Sequence, residues 1–213
     1  MLAEIKYIPK AMQSYFSNYW KNRGRDAKYI SLCLKEQYPY LLNGDKESGK
    51  PDPCYRWLEK ANTALNKQFL DEAEFLTKLV MKVDPTDLQA YFILGGVYLQ
   101  KRKYLEAEQC FNKILRAVPD DMASWANKGL ALVRQRKVAQ GVKCLNKALE
   151  ICPDEISVLN FLAEAKCYMN DYEGALKDVK KSYRLNPRNP STKKIKAAVE
   201  KLVAQHSKRE FAA

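Results

Sequence analysis

The chain has little with which to do chemistry. It holds one histidine, His206, set in a basic stretch far from any candidate nucleophile. It has no Gly-rich phosphate loop and no nucleophile elbow. Carboxylate neighbours such as Asp120 and Asp121 suit turns and caps rather than acid–base pairs. These absences exclude the usual catalytic constellations, so the chain reads as a non-enzyme with no small-molecule substrate. Cysteine occurs six times, at 33, 54, 110, 144, 152 and 167, but never as C-x-x-C and never beside histidine. Zinc spacing is therefore lacking, and neither metal nor cofactor is implied. The thiols read as small apolar core residues kept reduced. No apolar run approaches the ~20 residues of a membrane span. The first residues lack the apolar region of a secretory signal, so cytoplasmic residence is expected, free or beside a membrane or large assembly.

Negative charge is also short: 37 Lys and Arg stand against 25 Asp and Glu, for a formal charge of +12. The excess is spread along the chain rather than gathered in one segment, unlike most nucleic-acid binders. It reads as a basic soluble surface, with acidic or membrane partners a lesser case. At 46% hydrophobic residues, a continuous core is available.

What is present is a period. Pro85, Pro119, Pro153 and Pro187 are spaced 34 residues apart. Placing each proline at position 32 defines repeats over 54–87, 88–121, 122–155 and 156–189. The second carries Tyr91, Leu94, Gly95, Tyr98, Tyr104, Ala107, Phe111 and Ile114 at positions 4, 7, 8, 11, 17, 20, 24 and 27. Position 8 is small throughout (Ala61, Gly95, Gly129, Ala163), and so is position 20 (Ala73, Ala107, Gly141, Ala175). Two helices approaching closely need small residues where they touch. Position 4 is mostly aromatic (Trp57, Tyr91, Trp125, Leu159), filling the gap between hairpins. Proline cannot continue the second helix, and it biases the residue before it out of the helical region. Asp87, Asp120 and Asp154 follow within two residues and are expected to cap the next helix. Departures such as Lys60, Thr77, Lys128 and Lys166 leave the pattern intact.

This pattern resembles the tetratricopeptide repeat (TPR) family. The resemblance implies an all-α fold, a right-handed α-solenoid of helix hairpins. It also implies a concave groove lined by the first helix of each hairpin. Carried onto this chain, groove contacts fall at Tyr55, Leu58, Asn62 and Leu65, then at Gln89, Phe92, Gly96 and Leu99. The later repeats add Asn127, Leu130 and Arg134, then Asn160 and Glu164. Tetratricopeptide co-chaperones that grip the carboxylate of heat-shock proteins need a lysine and an asparagine where Leu58 and Ile93 stand, which argues against that ligand. An apolar groove suits an amphipathic helix or an extended peptide with aliphatic anchors. Asn62, Asn127 and Asn160 could bond a ligand's backbone or simply be solvated.

Two segments flank the repeats. A helical run near 191–205, with Ile195, Ala198, Val199 and Leu202 at helical spacing, reads as a capping helix within 190–213. Residues 209–213 read as an unstructured tail, natural or left by expression. Residues 1–53 read as two helices, near 9–21 and 26–38, followed by a Gly/Pro-rich linker. Met12, Tyr15, Phe16, Tyr19 and Trp20 form an aromatic stripe there that must be buried somewhere. It packs on the first repeat, docks on another protein or a neighbouring copy, or lies at a membrane interface.

The expected function is a scaffold or adaptor that binds other proteins in its groove, with self-assembly through the N-terminal stripe a specific case. The layout of a helical N-terminal segment and repeats resembles the tetratricopeptide scaffolds that coat magnetosomes. A chaperone of secreted substrates, or a basic protein attached to membrane or nucleic acid, are the alternatives. Self-assembly predicts that the full chain scatters light as a large assembly, while a version starting at Asp52 elutes as a folded monomer. Two monomers would leave an adaptor awaiting a different partner.

Overall fold

The computed structural model describes residues 53–210, and every regular element among them is helical. The helices are α1 (Pro53–Asn66), α2 (Leu70–Val83), α3 (Leu88–Gln100), α4 (Tyr104–Ala117), α5 (Met122–Arg134), α6 (Val138–Ile151), α7 (Ile156–Tyr168), α8 (Tyr172–Leu185) and α9 (Pro190–Glu210). The chain divides into two compact units, one ending at Ile93 and the other beginning at Leu94. The stripe residues Met12, Tyr15, Phe16, Tyr19 and Trp20 lie outside the described residues.

In the first unit α1 packs antiparallel on α2. Trp57, Ala61, Ala64, Ala73, Leu79 and Val80 are all buried there. Position 24, an aromatic in the second repeat, is Thr77. Its hydroxyl is fully buried and donates to the Ala73 carbonyl at 2.6 Å, so a polar residue sits in the core without an unmet bond.

In the second unit the successive helices α4 to α9 pack as neighbours. One core joins Ala126 and Val133 of α5, Leu145 and Ala148 of α6, and Val158, Leu162 and Ala165 of α7. The close approach expected at positions 8 and 20 is present in atomic terms. A Cβ added at Gly129 would lie 3.0 Å from the Gly141 carbonyl oxygen, and one added at Gly141 would lie 2.8 Å from the Gly129 oxygen. Gly95 faces the Phe111 ring, where a Cβ would come within 2.6 Å. Lys166, at an ordinarily apolar position, pairs with Asp178 of α8 at 2.6 Å. Lys128 lies 5.1 Å above the Trp125 ring.

Each turn within a hairpin places position 15 in the left-handed region: Gln68 (φ 64°), Arg102 (60°), Arg136 (67°) and Asn170 (60°). The next N–H then reaches five residues back, as from Lys103 to the Tyr98 carbonyl at 2.8 Å, which closes the first helix. Only Asn170 is a residue that tolerates this conformation well. For the others it costs roughly 1 kcal/mol each. The turns between hairpins open on the prolines, and their caps correct the reading from sequence. Asp87 does accept from the Ala90 N–H at 2.8 Å. The other caps lie one residue beyond Asp120 and Asp154: Asp121 accepts from Ser124, and Glu155 accepts from Ser157. The first position of the turn follows proline too closely to point back at the helix. Asp154 instead pairs with Lys181 at 3.0 Å.

The last helix α9 takes the place of a further first helix. Asn189 caps it through the Thr192 N–H at 3.1 Å, as position 34 caps the earlier ones. Val199 is buried with Ala163, Ala175 and Val179. A buried polar knot ties it to the last hairpin. The Asn160 amide donates to Thr192 Oγ1 at 2.9 Å, the Ser182 hydroxyl donates to Asn160 Oδ1 at 2.8 Å, and the two hydroxyls lie 3.0 Å apart. The helix runs to Glu210, past the expected end near 205 and over the first two residues assigned to the tail. Ala204, Gln205, Lys208, Arg209 and Glu210 are all good helix formers, and neither glycine nor proline stops them.

Two stability outcomes follow. Gly141→Ala pushes a methyl against the Gly129 carbonyl, a backbone atom with little room to yield. It should cost about 2 kcal/mol in urea unfolding. Thr192→Val keeps the shape but leaves the buried Asn160 amide short of a partner, at a cost of about 1–3 kcal/mol. Hydrogen exchange should then speed up first in α9.

Candidate functional site

Each unit carries its own candidate site residues on its first helices. In the first unit Tyr55 is 52% exposed, and the Glu59 carboxylate that its phenol bonds pushes its pKa up. Asn62 and Gln89 are exposed, Leu65 is half-buried and Phe92 is 37% exposed. Leu58 is 3% exposed, so it belongs to the interior and cannot touch a ligand. Ile93, the other residue weighed against a carboxylate ligand, is equally buried at 4%. At position 5 only Phe92 is exposed, so the groove register assigned there is too generous for the other repeats. Ala126 and Asn160, at the same position, are buried as well.

In the second unit Gly96 and Leu99 of α3 are half-buried, as are Asn127, Leu130 and Arg134 of α5 and Glu164 of α7. Asn160 is the second correction. Sequence offered it to a ligand's backbone or to solvent, but the knot with Ser182 and Thr192 uses its amide to dock α9. Arg134 and Glu164 meet across successive repeats. The guanidinium donates through Nη1 to Oε1 at 2.6 Å and through Nη2 to Oε2 at 3.2 Å. This two-pronged bond holds the Arg134 pKa above its ordinary value. Arg134 Nη1 also reaches the Tyr168 hydroxyl at 3.3 Å, and Arg136 lies 5.4 Å from the centre of the Tyr168 ring.

The face of α5 and α7 is thus built from half-buried Leu130 and Phe161, 45%-exposed Tyr168 and one internally paired charge couple. Such a surface offers apolar contact and an aromatic edge, with Arg134 and Glu164 paired to each other and Arg136 lying over the Tyr168 ring. Cys167 borders it, and burial pushes its thiol pKa up, as it does for Cys144. Cys144, Cys152 and Cys167 are free thiols. Among the described residues no cluster of His, Cys, Asp and Glu is placed to hold a metal, and no helix is long and apolar enough to cross a membrane. Arg136 was not singled out from sequence. The signal available for it was its place at position 15, beside the groove residue at position 13.

Comparison with known proteins bears on this geometry. The tetratricopeptide repeat profile matches residues 58–121 and 94–156. No curated protein sequence matches the chain. Among solved structures, MamA AMB-1 is 20% identical, covers 71% of this chain and 90% of its own, and superposes with a TM-score of 0.59. A MamA RS-1 double mutant is 17% identical over 84% of this chain and 97% of its own, with a TM-score of 0.60. The first TPR domain of Spaghetti (RPAP3), bound to the HSP90 peptide SRMEEVD, is 22% identical over 57% of this chain and 96% of its own, with a TM-score of 0.52. At these identities the likeness is one of fold. With the repeat profile, the all-α hairpins and the small contacts at positions 8 and 20, residues 58–156 are tetratricopeptide repeats, in an α-solenoid whose fold resembles that of MamA.

Proposed function

We propose that the chain is a protein-interaction scaffold whose first-helix face holds a peptide or helical segment of another protein. The observation that carries this reading is the α5/α7 face, where Leu130, Phe161 and Tyr168 stand open beside an ion pair that needs no partner. Apolar anchors on the ligand gain from covering such side chains, at about 25 cal/mol per Å² removed from water. The ligand is therefore an amphipathic helix or extended segment with aliphatic residues at regular spacing. The RPAP3 domain with a similar fold is bound to a peptide, which supports peptide binding as the mode, although its peptide SRMEEVD is acidic and of a different kind from the apolar segment proposed here. Self-assembly is the special case in which the occupant is the aromatic N-terminal stripe of another copy.

The test is calorimetric titration of the full chain with a peptide selected by display against it. Leu130→Asp and Tyr168→Ala should each weaken binding roughly tenfold, as for residues at the centre of an interface. Lys143→Ala, on the exposed side of α6, should leave it unchanged. If both groove variants bind as the parent does, the ligand lies elsewhere and the reading fails.

A further inference from the structure

Beside the groove, and touching it only where Arg136 lies over Tyr168, the two hairpin turns at 101–103 and 135–137 form one basic edge. They adjoin because the Gln135 side chain crosses between them. Its amide donates to the Tyr104 carbonyl at 3.1 Å and to Glu108 Oε2 at 2.8 Å. This pinning brings Arg102 and Lys103 of one turn alongside Arg136 and Lys137 of the next, and all four are exposed. Lys137 reaches Glu108 at the long distance of 3.9 Å. Lys103 lies 5.9 Å above the Tyr98 ring, and Arg136 lies over Tyr168. Glu106 is the remaining carboxylate in the first turn of α4. Both arginines occupy the left-handed position, where an L side chain is held at a conformational cost and where the next repeat has asparagine. Leu105 is 54% exposed in the same patch and adds an apolar contact.

The sign of the edge then reverses. The equivalent turn of the next hairpin is Met169, Asn170 and Asp171, with Asp171 capping Gly174 and Glu173 exposed beside it. A bilayer or a long duplex presents uniform negative charge and would meet this acidic turn as well as the basic ones. A short polypeptide would not. We infer that the edge formed by Arg102, Lys103, Arg136 and Lys137 is a second docking surface, for an acidic polypeptide segment that also carries an aliphatic residue. Its carboxylates meet the four cations and its apolar side chain covers Leu105. The scaffold accordingly holds two partner segments at once, one on the helix face and one on this edge.

The experiment uses the full chain and fluorescein-labelled poly-L-glutamate, followed by anisotropy across a salt series. The parent should bind with an affinity that falls as salt rises. A variant with Arg102, Lys103, Arg136 and Lys137 all changed to serine should bind roughly tenfold more weakly. A control that loses the same charge elsewhere, with Lys177, Lys193, Lys194 and Lys201 changed to serine, should stay within about twofold, since those lysines add only to the general field. If the fourfold edge variant fails to fold by circular dichroism, the pair Lys103→Glu and Lys137→Glu is read instead, with the same expected loss. Leu130→Asp should leave polyglutamate binding intact, which separates this surface from the groove. Equal weakening in edge and control variants would overturn the inference. So would no binding by the parent at low salt, or tighter binding to a DNA duplex or phosphatidylserine vesicles than to polyglutamate.

Discussion

The contact on which the second unit depends is the near touch of two backbones, Gly129 against Gly141. At that distance the packing of α5 on α6 is set by the peptide chain itself rather than by side chains that could rearrange. Interiors packed to crystal-like density transmit such a constraint outward. The angle of one hairpin sets where Leu145 and Ala148 present themselves, and these are the residues on which Val158 and Leu162 of α7 rest. The groove face inherits its spacing from this. Arg134 and Glu164 can form their two-pronged bond because α5 and α7 stand at the separation that the buried layer behind them dictates.

Several polar groups among the described residues serve as joints between helices. Asn160, Ser182 and Thr192 tie three helices together in the interior. Gln135 ties two turns at the surface, and Lys181 reaches back to the Pro153 carbonyl at 2.7 Å as well as to Asp154. Each bond is modest, on the order of 1 kcal/mol net. Their effect is on register. A slip of one hairpin against the next would leave the interior knot unpaired where water cannot replace the partner, whereas the surface groups could turn to solvent.

The period, the small positions and the turn prolines were legible because each answers to a local constraint that leaves few residue choices. The knot around Asn160 was not, since an asparagine at helical spacing looks the same whether it faces solvent or a partner 32 residues away. Position 5 was misread in the same manner: Leu58 is as apolar as a groove residue would be, and only the packing shows that it faces inward. The caps were off by one residue because Asp120–Asp121 and Asp154–Glu155 each offer two acidic side chains in a row, and backbone geometry selects the second. Three of the four left-handed turn residues gave no signal, because glutamine and arginine occupy places where glycine, or an asparagine such as Asn170, would have announced the conformation. The Arg134–Glu164 pair, 30 residues apart, is visible only when successive repeats are laid side by side.

Helix α9 is joined by the same device as the helices before it. Asn189 caps α9 as Asp121 caps α5, and the residues behind α9 are those that would receive any first helix. A joint built this way carries no memory of how many hairpins precede it. Duplicating or deleting one 34-residue unit ahead of it would leave the closing joint unaltered. Such a chain can change its reach in whole steps over evolutionary time, or at a designer's bench, without having to invent a new joint.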